Sequence, residues 1–188
     1  MDEPLELQKF LIKLMSTICD CLYRLISPLN VRFLKLGFHF DQVDYLRTAL
    51  LRIAGAKLGS KSIIRARVFV SNASNLSIGE RSRIGEFSRL YTFDKVKIGS
   101  DVEIGNGLLL YTNEHKIDGS EAIAKQGSIS KPIMISNDCY IGANVTILGG
   151  VIIGERCIVG SCSLVNKSLE GGYVYAGVPA KKIRKLEN

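Results

Sequence analysis

The chain contains two histidines, His39 and His115, and histidine is the side chain best suited to take up a proton near pH 7. A neutral imidazole can act as a general base towards a hydroxyl or an amine. His115 lies in the stretch LLLYTNEHKIDGSEAIAKQGSISKP, residues 108–132, which interrupts an otherwise regular six-residue pattern. His39 lies outside that pattern, between two predicted helices, and we interpret it as structural. His115 is therefore the candidate general base.

Polar residues stand at matching positions in the segments before this interruption. Counted in steps of twenty, two sets of residues correspond: Ser74, Asp94 and Glu114, and Asn75, Lys95 and His115. Carboxylates that could orient the imidazole are Asp94, Glu114 and Asp118. Glu114 is the poorest of the three, because neighbouring residues in a strand point to opposite faces.

The five cysteines suggest neither a metal site nor a disulfide framework. An odd number without a secretion signal is typical of reduced thiols, so we predict a cytoplasmic protein. Cys139 and Cys157 fall at small, inward positions of the repeat described below and are interpreted as core residues. Cys19 and Cys21 have no zinc-like spacing to any residue downstream. No metal is predicted.

The net charge of +7 could serve an anionic partner, depending on where the charge lies. The chain has no long lysine or arginine run and few aromatic residues, so nucleic-acid binding is not predicted. The last stretch, PAKKIRKLEN, gathers four basic residues. Either a solvated tail or a contact with a phosphate-bearing cofactor would account for them. Residues 171–188 are treated as a basic C-terminal tail.

An aliphatic residue recurs at every sixth position over most of the chain beyond Gly55. A six-residue unit can send one large and one small side chain inward, and glycine permits a tight turn between units. Three units would close one triangular coil, so the pattern predicts an all-β parallel β-helix of about five coils over residues 56–170. The repeating positions are Leu58, Ile64, Val70, Ile78, Ile84, Leu90, Ile98, Ile104, Leu110, Ile135, Ile141, Ile147, Ile153, Val159 and Val165.

The irregularities in this repeat all fall after the third unit of a coil. The first three coils start at Leu58, Ile78 and Ile98, twenty residues apart rather than eighteen, and the long interruption follows Leu110. One corner of the prism therefore carries the exceptions. We predict an extruded loop over residues 116–132 with the histidine at its root, and because loops on rigid scaffolds commonly carry function, this corner is the predicted active site.

Residues 1–55 are predicted to form an N-terminal helical segment. Over residues 7–29 apolar residues recur at alternating three- and four-residue steps, the stripe of an amphipathic helix that ends before Pro28. This stripe could pack on the protein or its subunits, or lie on a membrane surface beside a lipid-linked substrate. A shorter helix is predicted over about residues 42–54. Three apolar residues fall on one side of it: Leu46, Leu50 and Ile53.

The repeat, the segment YIGANVTILGGVIIGERCIVGSCSLVNKS and the ending YVYAGVPAKKIRK resemble the hexapeptide-repeat acyltransferases. Within that group the chain is most similar to the galactoside, maltose and nodulation-factor O-acetyltransferases. The segment LRTALLRIAGAKLGSKSII further resembles exopolysaccharide acetyltransferases of the colanic-acid type. The resemblance implies a left-handed parallel β-helix, a homotrimer, and acetyl transfer from acetyl-CoA to a sugar hydroxyl.

The resemblance also implies roles for individual residues. His115, in the segment TNEH, would take the proton of the acceptor hydroxyl as it attacks the thioester, in one ternary complex. Backbone N–H groups at Gly142 and Ala143 would hold the developing oxyanion. Asp94 and Asn113 would contact the acceptor. The expected acetyl-CoA contacts are Gly142, Ala143, Ser161, Asn166, Lys167, Lys181 and Arg184.

Other activities share parts of this pattern. A zinc-dependent hydratase of the gamma carbonic anhydrase kind needs three histidine ligands, and the repeats hold His115 alone. A serine O-acetyltransferase would share the donor chemistry but usually has a longer N-terminal helical domain. An amino-sugar N-acetyltransferase would use the same base chemistry, and a non-catalytic β-helix scaffold would need neither the histidine nor the basic tail. We expect a sugar O-acetyltransferase.

Overall fold

The computed structural model describes residues 18, 22, 40–117, 119 and 121–187. Ile18 and Leu22 are helical with exposed side chains. The rest of the predicted amphipathic helix lies outside the described residues, as do His39 and Asp118, so the membrane contact of that helix stays a prediction. Within the described part of the chain, no helix is long and apolar enough to cross a membrane.

Helix α1 (Phe40–Ile53) covers one end of the β-structure and agrees with the predicted shorter helix. Its apolar contact with the β-structure is made by Leu50 and Leu51, which are buried. Leu46 and Ile53 lie on the same side as Leu50 by sequence spacing, yet both are about half exposed. The helix therefore buries a narrower apolar face than its sequence suggests.

A buried carboxylate also holds this helix on the β-structure. The Asp44 carboxylate accepts hydrogen bonds from Arg47 at 2.5 Å and from Arg65 at 2.7 Å. Asp44 and Arg47 are almost fully buried, and Arg65 belongs to the first coil. Because an unpaired buried charge is costly, losing either arginine would weaken the attachment of the helix.

Short strands stack into three sheets. In spatial order, the first sheet has β1 (Lys57–Leu58), β4 (Leu76–Ile78), β7 (Val96–Ile98), β12 (Ile133–Ile135) and β15 (Ile152–Ile153). The second has β19 (Lys181–Lys185), β18 (Tyr173–Ala176), β16 (Ile158–Val159), β13 (Tyr140–Ile141), β8 (Glu103–Ile104), β5 (Arg83–Ile84) and β2 (Ile63–Ile64). The third has β17 (Leu164–Val165), β14 (Thr146–Ile147), β9 (Leu109–Tyr111), β6 (Arg89–Tyr91) and β3 (Phe69–Val70). A separate antiparallel pair joins β10 (Asn113–His115) to β11 (Ser128–Ser130).

The coils follow from this topology, because consecutive strands visit the three sheets in turn. Five coils are complete, and pairing between coils is parallel, as in Ile78 beside Ile98. A partial sixth coil is formed by β18 and by Leu169, which bridges to Ile153. The prediction of a parallel β-helix of about five coils is therefore confirmed.

The interior of the solenoid is the predicted aliphatic column. Of the fifteen repeating positions all are buried except Leu58, which is partly exposed and packs against the core beside α1. The small inward positions are filled as predicted by Cys139 and Cys157, both buried. Four residues after Val70, the repeat predicts a small inward side chain at Ser74, but Ser74 is exposed. The two extra residues at that corner shift the count, so three larger residues fill the space instead: Leu76, Val96 and Ile133.

Burial of the Cys157 thiol predicts a pH dependence of stability. Burial, with Cys139 nearby, raises the pKa of Cys157 from its ordinary value of 9.0 to about 12. The unfolded chain releases this proton above about pH 9 and the folded chain does not, so the thiol's contribution is intact below pH 9 and is lost as pH rises towards 12. Between pH 8 and 10.5 we expect a loss of about 2 kcal/mol that Cys157→Val does not show.

Urea unfolding under reducing conditions measures this difference at the two pH values. The exposed Cys162 provides the control, since Cys162→Ser should follow the wild type at both. An equal pH response in the wild type and in Cys157→Val would contradict the prediction.

Candidate active site

The interrupted stretch forms a β-hairpin that leaves the solenoid after β9. Strands β10 and β11 pair Asn113 with Ser130 and His115 with Ser128, and the ladder continues where the Lys116 N–H donates to Gly127 O at 3.1 Å. The interruption is therefore regular antiparallel structure at its base. It sits at the corner between the third and first sheets, where the sequence places the irregularities.

The base of the hairpin is held by the buried Thr112. Its hydroxyl donates to Tyr91 O at 2.9 Å and accepts from the Asp94 N–H at 3.0 Å. Its carbonyl accepts from the Lys131 N–H at 2.7 Å, and this bond joins the two ends of the hairpin. Because each buried polar group of Thr112 is paired, this residue fixes where the hairpin starts and returns.

His115 ends β10 with an exposed side chain on the hairpin, opposite Ser128. Among the described residues, no carboxylate is hydrogen-bonded to its ring, and Glu114 is partly buried beside it in the strand. Asn113 lies on the same side of the strand, where its Oδ1 accepts from the Ser130 hydroxyl at 3.3 Å. The His115 side chain is thus exposed to solvent.

The polar column predicted at this corner is brought together only in part. Lys95 Nζ donates to Asn75 Oδ1 at 2.8 Å, and Asn75 Nδ2 donates to Phe93 O at 3.2 Å. The Asp94 carboxylate accepts from the Lys95 N–H at 2.6 Å. None of these described contacts reaches His115. Within the described residues, no group of three or more His, Cys, Asp or Glu side chains could hold a metal ion.

Two tyrosines beside the hairpin were not singled out from the sequence. Tyr91 and Tyr111 pair across β6 and β9, and their rings stack with centroids 4.4 Å apart. A hydrogen bond with Tyr91 raises the pKa of Tyr111. Their spacing of twenty residues is the same signal that marks the polar column, so it could have identified them.

Gly142, Ala143 and Ser161 lie at the corner between the second and third sheets. The Gly142 N–H donates to Val159 O at 2.8 Å, as part of the ladder between coils. The Ala143 N–H donates to the exposed Ser161 hydroxyl at 3.2 Å. A hydroxyl on a surface can rotate away from its partner, whereas a ladder carbonyl cannot. Of these two backbone N–H groups, that of Ala143 is therefore the one that a ligand can reach.

Asn166 and Lys167 directly follow β17, and both are exposed. Their place in the coil corresponds to that of Thr112, which follows β9, so they lie at the hairpin corner two coils further along. The third sheet separates them from Ala143 and Ser161. The residues predicted to contact acetyl-CoA thus lie at both edges of the third sheet.

The basic C-terminal stretch is a strand, β19, paired antiparallel with β18. Lys182 Nζ donates to Glu170 Oε2 at 2.7 Å and lies 3.7 Å from the centre of the Tyr173 ring. Glu170 raises the pKa of Lys182. Within the described chain, Lys181 and Arg184 have no carboxylate partner. These two charges are therefore available to an anion.

Comparisons with known proteins identify the family. The bacterial transferase hexapeptide (six repeats) family matches residues 132–167. Galactoside O-acetyltransferase of Escherichia coli K12 is 32% identical over 143 residues, which cover 76% of this chain and 70% of that protein. The chain belongs to the hexapeptide-repeat acetyltransferases. Its place is in their galactoside O-acetyltransferase branch.

Other members of the hexapeptide-repeat acetyltransferases support this placement. The WcaF protein of Escherichia coli K12, named for colanic acid biosynthesis, is 33% identical over 140 residues, 74% of each chain. A hexapeptide-repeat acetyltransferase from Vibrio cholerae has a TM-score of 0.77 and 28% identity, over 94% of this chain and 93% of that one. The same Vibrio protein has been solved in complex with acetyl coenzyme A. The predicted family and enzyme class are confirmed.

Proposed function

We propose that this acetyltransferase moves an acetyl group from acetyl-CoA to a sugar hydroxyl in the assembly of a bacterial surface polysaccharide. The observation that carries the proposal is the hairpin, which places one exposed imidazole at the same corner as Asn166 and Lys167. The acetyl-CoA complex of the Vibrio relative supports the donor. The galactoside O-acetyltransferase relative supports the acceptor class.

The proposed chemistry uses His115 as the general base. The imidazole takes the proton of the acceptor hydroxyl while the hydroxyl oxygen attacks the thioester carbonyl carbon. Because the third sheet separates Ala143 from His115 within one chain, the Ala143 N–H of a neighbouring subunit donates to the oxygen on which negative charge develops. Ser161 of that subunit gives up its bond to this N–H when the donor binds. As the C–S bond breaks, the protonated imidazole returns its proton to the departing thiolate. Both substrates are bound together, with no acyl-enzyme.

The remaining predicted residues divide between the two substrates. Asp94 and Asn113 flank the base of the hairpin and contact the acceptor. The donor lies between two subunits, and Lys181 and Arg184 pair with its phosphates because they lack a carboxylate of their own among the described residues. The donor contacts are Gly142, Ala143, Ser161, Asn166, Lys167, Lys181 and Arg184.

The protein is proposed to act as a homotrimer. The hairpin exposes three isoleucines: Ile117, Ile123 and Ile129. A monomer would leave these side chains in water, whereas a neighbouring subunit would bury them. The hairpin would then wall the acceptor pocket against that subunit.

The donor assignment predicts which basic residues matter in β19. A Lys181→Ala/Arg184→Ala variant is expected to bind acetyl-CoA at least tenfold more weakly, because two phosphate contacts are lost. Isothermal titration calorimetry measures the affinity. The charge-matched control is Lys57→Ala/Lys182→Ala, since Lys57 lies in the first coil and Lys182 is already paired with Glu170. The control should bind nearly as well as the wild type.

Each outcome of the titration has a distinct meaning. If the double variant binds acetyl-CoA as tightly as the wild type, the basic residues of β19 contact solvent and not the phosphates of the donor. No detectable binding by the wild type would contradict acetyl-CoA as the donor. Thiol release with a panel of sugars and amino sugars then identifies the acceptor, and turnover confined to amino groups would contradict O-acetylation.

A further inference from the structure

A cleft opens on the outer face of the first sheet, where the Ile152 N–H donates to the hydroxyl of Ser168, the residue after Lys167, at 3.0 Å. It has a volume of about 460 Å³ and spans the third, fourth and fifth coils. Its floor is apolar and includes Pro132, Met134 and Ile152, the last about half exposed. Three lysines line it: Lys95, Lys97 and Lys131.

The charge of this cleft is not neutralised within the described chain. Lys97 and Lys131 form no ion pair with a described residue, and Lys95 donates to the neutral amide of Asn75 at 2.8 Å. No aspartate or glutamate among the described residues lines the cleft. Three ammonium groups around an apolar floor suit a ligand that joins an anion to hydrocarbon.

The cleft is connected to the hairpin through its own residues. Lys131 closes the base of the hairpin through its bond to Thr112 O, three residues from His115, or roughly 10 Å at about 3.4 Å per residue. Lys95 directly follows Asp94, a proposed acceptor contact. The stem of Lys131 lies over Gly150, where an added Cβ would stand 3.2 Å from Lys131 Cδ. The lysine is thereby held along the wall of the cleft.

We propose that the cleft binds the lipid-phosphate part of the acceptor, so that the acetylated sugar is attached through a phosphate or diphosphate to a hydrocarbon chain. This inference rests on the proposed function and narrows its acceptor. The lysines hold the phosphate, and the first carbons of the chain lie on Pro132, Met134 and Ile152. A free glycan would place hydroxyl groups against this apolar floor and lose their hydrogen bonds to water.

The test uses farnesyl diphosphate as the probe, titrated calorimetrically into the full chain without acetyl-CoA. We expect binding that is at least tenfold tighter than that of inorganic diphosphate or of farnesol, because only the probe contacts the three lysines and the apolar floor together. A Lys95→Gln/Lys97→Gln/Lys131→Gln variant should bind the probe at least tenfold more weakly. The charge-matched control is Lys57→Gln/Lys61→Gln/Lys125→Gln, whose lysines are exposed outside the cleft. It should bind nearly as the wild type does.

Several results would overturn the inference. Equal affinity for inorganic diphosphate and for farnesyl diphosphate would show that the apolar floor does not contribute to binding. Displacement of the probe by acetyl-CoA would assign the cleft to the acetyl donor. Binding to vesicles of anionic phospholipid without binding to the probe would make the surface a membrane contact instead. Failure of acetyl transfer to any sugar, with probe binding intact, would refute the proposed function alone.

Discussion

Replacing His115 with alanine is expected to lower kcat for acetyl transfer by about 10²–10⁴-fold, the range that a positioned general base contributes. The expectation follows from the place of the side chain at the end of β10, exposed on the hairpin. Its ring makes no hydrogen bond to a described residue, so removing it leaves no buried group unpaired. The unfolding midpoint and the acetyl-CoA affinity should therefore stay close to wild type.

Steady-state thiol release, calorimetry and thermal unfolding measure these three quantities on the same sample. The matched control is Lys116→Ala, which removes the next side chain while its backbone N–H still bonds Gly127 O. This control should keep most of its turnover. Wild-type kcat in His115→Ala would refute the assignment of the base, and a large loss of stability would mean that the residue is structural.

Replacing Gly85 with alanine is expected to destabilise the solenoid by about 3 kcal/mol and to lower Tm by roughly 10 °C. An added Cβ would lie 2.5 Å from Gly105 O and 2.6 Å from Asn106 N in the next coil. These are backbone atoms held by the ladder between coils, as in the bond from the Gly85 N–H to Ile104 O at 2.9 Å. Neither can rotate aside, so the coils must separate.

Gly119→Ala provides the control for this substitution. An added Cβ there would meet only the Gln126 side chain at 3.4 Å, an ordinary contact on the exposed hairpin. Thermal and urea unfolding should show little change in the control. A Gly85→Ala protein as stable as the wild type would mean that the coils can shift apart without cost, contrary to the close stacking of the turns.

The core of this protein was predictable because its pattern is local. Each six-residue unit repeats the same backbone geometry, so the inward direction of Ile64, Ile104 or Ile141 follows from counting. Counting failed at Ser74, where two additional residues occupy the corner and Leu76 takes the inward place. An insertion changes the register of everything after it, and the periodicity carries no information on how the insertion folds.

The candidate site was predictable in place but not in arrangement. The break in the repeat pointed to one corner and to His115. The pairing of Asn113 with Ser130 has no counterpart in the repeat, and neither does the bond of Lys182 to Glu170. The sequence also favoured Gly142 and Ala143 equally as oxyanion donors, whereas the ladder uses the Gly142 N–H for Val159 O.

The sequence by itself therefore determined the solenoid, its family and the corner at which chemistry is expected, because all three are written in residues that recur at fixed spacing. The tertiary structure decided which groups at that corner are free to act. Stacking of coils brings Lys95, Lys97 and Lys131 around one cleft, although the last is separated from the others by more than thirty residues. Stacking also uses some backbone N–H groups in hydrogen bonds between coils and leaves others accessible to a ligand. Such contacts depend on the register between coils, which no single stretch of the chain contains.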